Sequence, residues 1–306
     1  MSNLKRILIT GATGKQGGAL LSALLKSPPT PPFHLVALTR NSKSPQALAL
    51  AQKPNVTVIE GDLNNCEAIF KASSEPFHGV FSVQVPLKPK VEEQQGKALV
   101  DAAAAHGVNH FVYTSAERGG PQQSDRTGTV VKHFISKFNI ENHLKQVSQK
   151  GGGKMQWTII RPVAFMENLT PDFIGRAFAT MWQLNGMDSK LQLVSSVDIG
   201  VLAADVFKNQ NAYAGKALSF ATDELTPQEA NDIFKRVVGT DMPTTYPVVG
   251  RLIKFILHEQ LGAMFDWFKS DGFGANPREY KDKFPEMQDF EAWLRRSSKF
   301  AKSASR

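Results

Sequence analysis

Residues 7–18 read Ile-Leu-Ile-Thr-Gly-Ala-Thr-Gly-Lys-Gln-Gly-Gly, and this stretch decides the fold. An apolar run, a glycine-rich turn and a helical stretch over 19–25 predict a strand, a tight turn and a helix start, the arrangement that binds phosphate groups. Glycine is needed because a Cβ would oppose the turn and because a phosphate must approach bare amides. The spacing is Gly-x-x-Gly-x-x-Gly, so the strict dinucleotide-binding fingerprint is not met, and a purely structural turn remains an alternative.

Further apolar runs follow, separated by segments of helical length. They lie at residues 33–39, 56–63, 79–86, 111–115 and 157–162. Such alternation predicts βαβ units and therefore an α/β fold with a doubly wound parallel Rossmann sheet. We expect this domain to occupy residues 1–162, with a return of the chain to it around 195–208. A smaller, mostly helical lobe with a basic tail is expected over 163–306.

The net charge of +8 suggests a nucleic-acid-binding protein, but the distribution of the charge argues against one. Five positive residues follow the last acid, Glu291, and they leave +3 for the rest of the chain. These five are Arg295, Arg296, Lys299, Lys302 and Arg306. No basic stripe interleaved with aromatic residues is present on which bases would stack. We therefore expect no direct binding of nucleic acid.

Cysteine usage and hydropathy bear on the compartment. The single cysteine, Cys66, excludes an intrachain disulfide and a multi-cysteine zinc site, and is typical of a reducing compartment. No apolar run approaches the roughly 20 residues of a membrane span, and no signal peptide is recognisable. No cluster of His, Cys and carboxylates has metal-binding spacing. We expect a cytoplasmic protein with no metal site and no membrane contact, and the sequence leaves a nuclear location open.

The first 59 residues carry a one-sided charge. They contain seven Lys or Arg residues and no Asp or Glu, which favours an anionic ligand. Arg40 follows the second predicted strand, where an NAD-binding protein normally has a carboxylate for the ribose 2′-hydroxyl. An arginine there would bind the 2′-phosphate of NADP through two charge-assisted hydrogen bonds, so the sequence favours NADP(H) over NAD(H). The alternative is a solvated loop charge.

Residues at the ends of the next two strands are candidates for ligand contact. Asp62 and Leu63 end the third strand, at the sheet edge where ligands bind in open α/β folds. Asp62 would accept a hydrogen bond from the adenine amino group or, alternatively, cap the following helix. Gln84 ends the fourth strand and is expected to face the ribose and nicotinamide.

A serine and a His–Lys pair are the candidates for chemistry. Ser115 ends the fifth predicted strand, where its hydroxyl could hydrogen-bond a substrate carbonyl. His133 and Lys137 stand four residues apart on a helix predicted over 129–149, so both can face one ligand. A solvated helix face is the competing interpretation of this pair.

Together these residues resemble the NmrA-like family of atypical short-chain dehydrogenases, and look most like its human-type redox-sensor branch. The resemblance spans nearly the whole chain and implies a Rossmann domain with a smaller carboxyl-terminal lobe. The motifs that carry it are Gly11 to Gly18, Thr39-Arg40-Asn41, Gly61-Asp62, Glu93-Gln94-Gln95-Gly96-Lys97, Val112-Tyr113-Thr114-Ser115, His133-Phe134 with Lys137 and Glu141, Arg161-Pro162, Phe165-Met166-Glu167-Asn168-Leu169, Ser196-Val197-Asp198-Ile199-Gly200 and Leu261-Gly262-Ala263-Met264-Phe265.

The resemblance also implies a cofactor, NADP(H), and the residues that contact it. In order from pyrophosphate to nicotinamide they are Gly11, Thr13, Gly14, Gln16 and Gly17 at the pyrophosphate, Arg40 at the 2′-phosphate, Asp62 and Leu63 at the adenine, Gln84 at the ribose and nicotinamide region, Lys137 at the nicotinamide ribose hydroxyls, and Pro162, Val163 and Phe165 beside the nicotinamide.

The sequence departs from the short-chain dehydrogenase pattern at one chemical position. Those enzymes have a tyrosine four residues before the lysine, whose charge lowers the phenol pKa so that the phenol can exchange a proton with the substrate. His133 stands there in this chain. Because histidine can act as a general acid near neutral pH, catalysis by His133, Lys137 and Ser115 remains open.

Two functions of different classes therefore stand side by side. The first is an NADP(H)-binding, redox-sensing regulator whose cofactor occupancy changes the surface offered to a partner protein. The second is an NADPH-dependent reductase of a quinone, carbonyl or other apolar acceptor. The default interpretation of the aromatic-rich stretch 255–268 is core packing, and the alternative is the lining of an apolar pocket, which would suit the reductase. Either function is compatible with a homodimer.

Overall fold

The computed structural model describes residues 4–26, 33–85, 88–126 and 129–300. The strands are β1 (Lys5–Ile9), β2 (Phe33–Thr39), β3 (Val56–Glu60), β4 (Gly79–Ser82), β5 (His110–Thr114), β6 (Gln156–Pro162), β7 (Ala164–Phe165), β8 (Leu191–Val194), β9 (Lys216–Phe220) and β10 (Asp223–Leu225). The helices are α1 (Lys15–Leu25), α2 (Pro45–Ala51), α3 (Cys66–Lys71), α4 (Pro89–Ala105), α5 (Pro121–Ser124), α6 (Lys132–Lys150), α7 (Phe173–Leu184), α8 (Ser196–Lys208), α9 (Gln210–Tyr213), α10 (Pro227–Val238), α11 (Pro247–Ile256), α12 (Ala263–Ser270) and α13 (Phe290–Arg296).

The main sheet confirms the predicted doubly wound α/β fold. Within the described ranges it has seven strands in the order β3-β2-β1-β4-β5-β6-β9. The pairings from β3 through β6 are all parallel. The strand order reverses direction between β1 and β4, and in open α/β sheets ligands bind at the carboxyl ends of the strands beside such a switch point.

The strands of this sheet are buried because helices cover them, as expected for parallel sheets. Every residue of β4 and β5 is buried. On one face, side chains of β1, β2, β4 and β5 join those of α3, α4 and α6 in a single apolar cluster. The side of α4 that meets α6 is so close that a Cβ on Gly96 would lie 2.4 Å from Cδ1 of Ile140. This packing fixes α4 against α6, and both helices carry charged residues discussed below.

The chain groups into two compact units. The first runs to Ser115 and also includes Ser136–Arg161 and Ile199–Leu218. The second consists of Ala116–Ile135, Pro162–Asp198 and the chain from Ser219 onward. Lys302 and Arg306 of the expected basic tail lie outside the described residues.

The division differs from the boundary expected at residue 162, because the segment 116–135 groups with the second unit. Glu117 explains part of this grouping: its carboxylate accepts hydrogen bonds from the backbone N–H groups of Gly119, Gly120 and Gly274. Val131 and Phe134 also belong to the apolar core of the second unit. Contacts far along the chain therefore outweigh sequence proximity in placing this segment.

The second unit is built on a three-stranded sheet and an aromatic core. In the described chain the sheet order is β10-β8-β7, with β8 antiparallel to β10 and parallel to β7. The stretch 255–268 divides between two environments. Phe265, Trp267 and Phe268 are buried and stack edge to face, whereas Phe255 is 81% exposed on α11. The later part of the stretch, with Leu261 and Met264 packed against the cluster that contains these rings, is thus core, whereas residues 255–257 are exposed.

Helix α10 begins as its sequence predicts. The Thr226 hydroxyl accepts the N–H of Glu229, and the Glu229 carboxylate accepts the N–H of Thr226, which forms a reciprocal capping box. The helix ends at Gly239, whose φ of +87° closes it in the left-handed region. Across the described ranges, no helix has both the length and the apolar composition needed to cross a membrane.

Candidate functional site

The glycine turn between β1 and α1 is required by sterics at two positions. Gly11 has a φ of +58°, and its N-terminal neighbour Thr10 accepts the N–H of Val83 through its hydroxyl. At Gly17 a Cβ would lie 2.4 Å from the backbone oxygen of Gly11 and 2.6 Å from that of Thr10. The turn and the first turn of α1 are therefore packed backbone against backbone, and Gly14 closes the turn with an N–H donated to Gly11 O at 2.9 Å.

The N-terminus of α1 is chemically suited to an anion. No side chain caps the helix at Gly14, and its first turn contains no acidic residue. Thr13 and Gly14 are exposed, so a ligand can approach the turn from solvent. Gln16 is half-buried, and its Oε1 has no hydrogen-bond partner among the described residues. Uncapped helix amides and the positive end of the helix dipole favour phosphate here.

Arg40 follows β2 directly, as predicted, and is exposed. Its guanidinium forms no ion pair with any side chain in the described ranges. The loop around it is ordered by its own residues: Asn41 N donates to the Thr39 hydroxyl at 3.2 Å, and Lys43 N donates to Asn41 Oδ1 at 2.9 Å. Arg40 is thus a cation held at the end of β2 by a structured loop.

At the end of β3 the structure shows the capping role of Asp62. Its Oδ1 accepts the N–H of Asn64 at 2.8 Å and begins a 3₁₀ turn over Leu63–Asn65. The expected strand over 56–63 therefore ends at Glu60, because the carboxylate stabilises a turn instead. Asp62 is exposed and Leu63 is half-buried, so both remain accessible to a ligand.

Gln84 lies just after β4 and is 5% exposed. Its Nε2 donates to the hydroxyl of Ser82 at 2.8 Å, which fixes the orientation of the amide. Its Oε1 is buried and has no hydrogen-bond partner in the described chain. An unsatisfied buried acceptor is costly, so it indicates a position where a ligand donor is expected.

Lys137 is nearly buried and forms an ion pair that the sequence did not reveal. Its Nζ donates to Glu92 Oε1 on α4 at 2.7 Å. Glu92 is 1% exposed, and its other oxygen accepts the hydroxyl of Ser136 at 2.6 Å. Glu92 therefore holds Lys137 in place and compensates its charge within the first unit.

Ser115 belongs to a second buried network in the same unit. Its hydroxyl donates to Glu141 Oε1. Arg161 donates to the same carboxylate through Nη2 at 2.6 Å and through Nε at 3.2 Å to each oxygen. Because the Ser115 hydroxyl proton is directed at Glu141, the hydroxyl is not set up to donate to a substrate carbonyl.

His133 lies one helical turn before Lys137 on α6, with the spacing that the sequence predicts. Its ring is half-buried and contacts Phe134 edge to face at 4.6 Å between centroids. Phe134 in turn packs on Trp267 at 5.2 Å. The imidazole thus rests against the aromatic core of the second unit.

Pro162, Val163 and Phe165 form the start of the second unit's second segment. Val163 N donates to Phe220 O at 3.2 Å, and Phe165 pairs with Val194 in the small sheet. Pro162 and Val163 are buried, whereas Phe165 is half-buried. The expectation that these three flank a nicotinamide stays a prediction.

Taken together, the first unit fits a dinucleotide. The glycine turn has no room for a Cβ at Gly17, and α1 has an uncapped N-terminus. The amide oxygens of Gln16 and Gln84 are buried acceptors without a hydrogen-bond donor among the described residues. Sequence reasoning missed Glu60 and Glu92, because their partners lie 18 and 45 residues away. Glu141 stood in a motif, but nothing in the motif indicated its pairing with Arg161.

One buried carboxyl of the second unit lies outside this set. Asp198 Oδ2 accepts the Ser195 hydroxyl at 2.9 Å and the Gln288 N–H at 3.1 Å. Burial raises the pKa of Asp198 to about 7, and the nearby Glu167 carboxylate acts in the same direction. Asp198 is therefore expected to gain a proton in the folded protein in the neutral pH range.

We expect Asp198→Asn to flatten the pH dependence of stability. Since the folded-state pKa of about 7 exceeds the ordinary value of 3.8, the proton-linked stability is fully present below the ordinary value and is lost as pH rises through 7. The free energy of unfolding of the unmutated protein should fall relative to the variant by about 2–4 kcal/mol between pH 4 and pH 8. Urea unfolding of both proteins at each pH measures this, and parallel curves would contradict it.

The family model of the NmrA-like family matches residues 3–294 of this chain. An NmrA-like family domain-containing protein of Dictyostelium discoideum is 23% identical over 258 residues, covering 77% of this chain and 78% of that protein. An NmrA-like family domain-containing oxidoreductase of Aspergillus hancockii is 28% identical over 253 residues, covering 76% and 72%. The likeness to these two relatives thus extends over about three quarters of each chain.

Solved structures share the fold at lower identity. NmrA, a negative transcriptional regulator, in complex with NADP is 21% identical with a TM-score of 0.70, and the match covers 99% of this chain and 98% of that one. The same regulator in complex with NAD is also 21% identical, with a TM-score of 0.71 and the same coverage of both chains. Triphenylmethane reductase of Citrobacter sp. complexed with NADP(H) is 19% identical with a TM-score of 0.73, and the match covers 97% of this chain and 99% of that one.

Fold, motifs and family model agree in one assignment. The doubly wound sheet, the glycine turn after β1 and the His–Lys pair on α6 match the sequence resemblance. Among the described side chains, no group of three or more His, Cys, Asp or Glu is arranged to hold a metal ion. The chain belongs to the NmrA-like family.

Proposed function

We propose that this protein is an NADP(H)-binding, redox-sensing regulator whose cofactor occupancy controls its interaction with a partner protein. The observation that carries the proposal is a contrast within the first unit. The glycine turn, Arg40 and Gln84 are available for a ligand, whereas the Ser115 hydroxyl and the Lys137 ammonium are engaged by buried carboxylates. The chain is thus arranged for binding more clearly than for turnover.

The binding residues have distinct tasks. The turn from Gly11 to Gly17 would hold the pyrophosphate on backbone amides, and Arg40 would bind the 2′-phosphate. Asp62 and Leu63 would contact the adenine, and Gln84 Oε1 would accept a hydrogen bond from the ribose or nicotinamide side. The solved complexes of NmrA with NAD and with NADP support a nicotinamide dinucleotide as the ligand class.

A reductase is the second candidate, and His133 is the observation that favours it. A bound NADPH supplies a hydride, and an acceptor then needs a proton from a side chain or from water. His133 lies one turn from Lys137, and histidine as a residue type is a common proton donor in enzymes. The oxidoreductase of Aspergillus hancockii and the triphenylmethane reductase support this alternative by name.

The two candidates separate in one experiment on the full chain. Oxidation of NADPH is followed against quinones, aldehydes and aryl dyes, and limited proteolysis and oligomeric state are followed with and without NADPH. The regulator predicts no turnover above about 1 s⁻¹ together with a cofactor-dependent change in proteolysis or assembly. Turnover above that rate would favour the reductase if it collapses in Lys137→Met combined with Glu92→Gln, a pair that avoids leaving Glu92 charged and buried alone.

Cofactor preference has its own test. We expect tighter binding of NADP(H) than of NAD(H), and we expect Arg40→Ala to erase the difference. Losing charge-assisted hydrogen bonds to a phosphate should weaken NADPH binding about 10- to 100-fold and leave NADH binding within about twofold. Isothermal titration calorimetry measures the affinity for both ligands, and equal affinities in the unmutated protein would contradict the predicted preference for NADP(H).

A further inference from the structure

The loop after β2 is hydrogen-bonded to a carboxylate of the protein itself, that of Glu60. Glu60 Oε2 accepts the backbone N–H of Ser42 at 3.0 Å and the Ser42 hydroxyl at 2.6 Å. Glu60 is the last residue of β3 and pairs in register with Thr39, the last residue of β2. Its carboxylate therefore lies beside the loop that carries Arg40.

The surroundings of Glu60 keep it charged. Both hydrogen bonds from Ser42, and the nearby Lys43 cation, hold the pKa of the Glu60 carboxyl below its usual value. The carboxylate is exposed, so no burial opposes its ionisation strongly. At neutral pH the loop thus has a full negative charge bound to two of its donors.

Two further hydrogen bonds of the loop join its own residues. Asn41 N donates to the Thr39 hydroxyl, and Asn41 Oδ1 accepts Lys43 N. The N–H and O–H of Ser42 are the donors that the loop directs at an acid, two residues from Arg40. An NH group, a hydroxyl and an arginine are also the groups that bind a phosphate.

We propose that Glu60 is a specificity-determining residue: it occupies the Ser42 donors as an internal anion and competes with the 2′-phosphate of NADP(H). This inference rests on the proposed function, because it requires that the first unit bind a nicotinamide dinucleotide with its adenosine ribose at the end of β2. A 2′-phosphate must either displace the Glu60 carboxylate from Ser42 or bind beside it against charge repulsion. NAD(H) has no 2′-phosphate and avoids this cost. Glu60 therefore reduces the ratio of NADP(H) to NAD(H) affinity that Arg40 favours.

The matched variants follow from this geometry. Glu60→Gln keeps the side-chain shape and removes the charge, and Ser42→Ala removes the donated hydroxyl. Glu75→Gln is the control, because Glu75 is also exposed, belongs to the same unit and makes an ion pair with Arg6 at 3.7 Å, away from the loop. Glu60 and Glu75 are exposed and Ser42 is half-buried, and substitutions of this kind outside the core rarely affect folding.

The measurement is calorimetric titration of the full chain with NADPH, NADH, 2′,5′-ADP and 5′-AMP. We expect Glu60→Gln to tighten NADPH and 2′,5′-ADP about 5- to 30-fold, because a like charge a few ångströms away is removed and two donors are released. NADH and 5′-AMP should stay within about twofold, and Ser42→Ala should weaken NADPH and 2′,5′-ADP, the two ligands that carry a 2′-phosphate. Glu75→Gln should change none of the four affinities.

Two results would overturn the inference: an NADPH-to-NADH affinity ratio that Glu60→Gln leaves unchanged, or equal tightening of both dinucleotides, which would indicate a general effect on the loop. These outcomes differ from failure of the proposed function. If the unmutated chain bound neither dinucleotide, the proposed function would fail and this inference with it. Normal NADPH binding with an unchanged ratio in Glu60→Gln would overturn this inference alone.

Discussion

Gly17→Ala is expected to destabilise the protein and to weaken the proposed cofactor binding strongly, although alanine is ordinarily the better helix residue by about 1 kcal/mol. The added Cβ would lie 2.4 Å from Gly11 O and 2.6 Å from Thr10 O, and neither backbone atom can move away as a flexible side chain would. We expect a loss of about 1–3 kcal/mol of unfolding free energy, the usual cost of overpacking. Displacing the turn should weaken NADPH binding about 100-fold or more.

Gly18→Ala is the matched control for this prediction. The substitution is the same and lies at the next residue of α1. The Cβ added at Gly18 would lie 3.3 Å from Ala12 O, a tight contact that a shift of a few tenths of an ångström relieves. Urea unfolding and NADPH titration of both variants give the comparison. Equal effects of the two substitutions would show that the backbone contact at Gly17 is not the cause.

Arg161→Met is expected to cost more stability than Gly17→Ala. It deprives the buried Glu141 carboxylate of a guanidinium bonded through both Nη2 and Nε, and Arg161 and Glu141 are 1% and 0% exposed. Removing one partner of a buried ion pair typically costs about 3–5 kcal/mol, because the other charge is left in a poorly solvated site. Urea unfolding measures the loss.

A double variant separates the ion pair from packing. Arg161→Met combined with Glu141→Gln removes both charges and leaves the Gln side chain able to accept the Ser115 hydroxyl. We expect this pair to recover at least half of the stability lost in Arg161→Met, since replacing both members of a buried pair is often nearly neutral. Losses that simply add would show that the two residues act independently.

The fold could be predicted because its signals are local. Alternating apolar strands and helical segments, the glycine turn and the Thr226–Glu229 capping box each lie within a few residues, and the structure confirms the sheet and α10. The ends of two elements differ from the prediction. Helix α6 begins at Lys132 rather than 129, and β3 ends at Glu60 because Asp62 caps a turn.

The positions of the candidate cations could be read from the sequence, but the carboxylates that pair with them could not. Arg40 and Lys137 stand at positions that strand ends and helical spacing single out. Their environments depend on acids brought together only by folding, such as Glu92 from α4, 45 residues from Lys137. A carboxylate in the first turn of a helix looks like an ordinary solvated residue in the sequence, and only the packing of α4 on α6 shows that Glu92 is buried.

The interleaving of the two units bears on how the protein is made. The first unit is completed only when residues 199–218 have been synthesised, because β9 is the strand that pairs beyond β6. A nascent chain that has emerged only to residue 162 would expose the edge of β6 to other strands. Neither unit is a contiguous piece of the chain, so we expect expression of a fragment that ends at residue 162 to yield aggregated material. A fragment that extends through Phe220 retains every described strand of the main sheet, including β9.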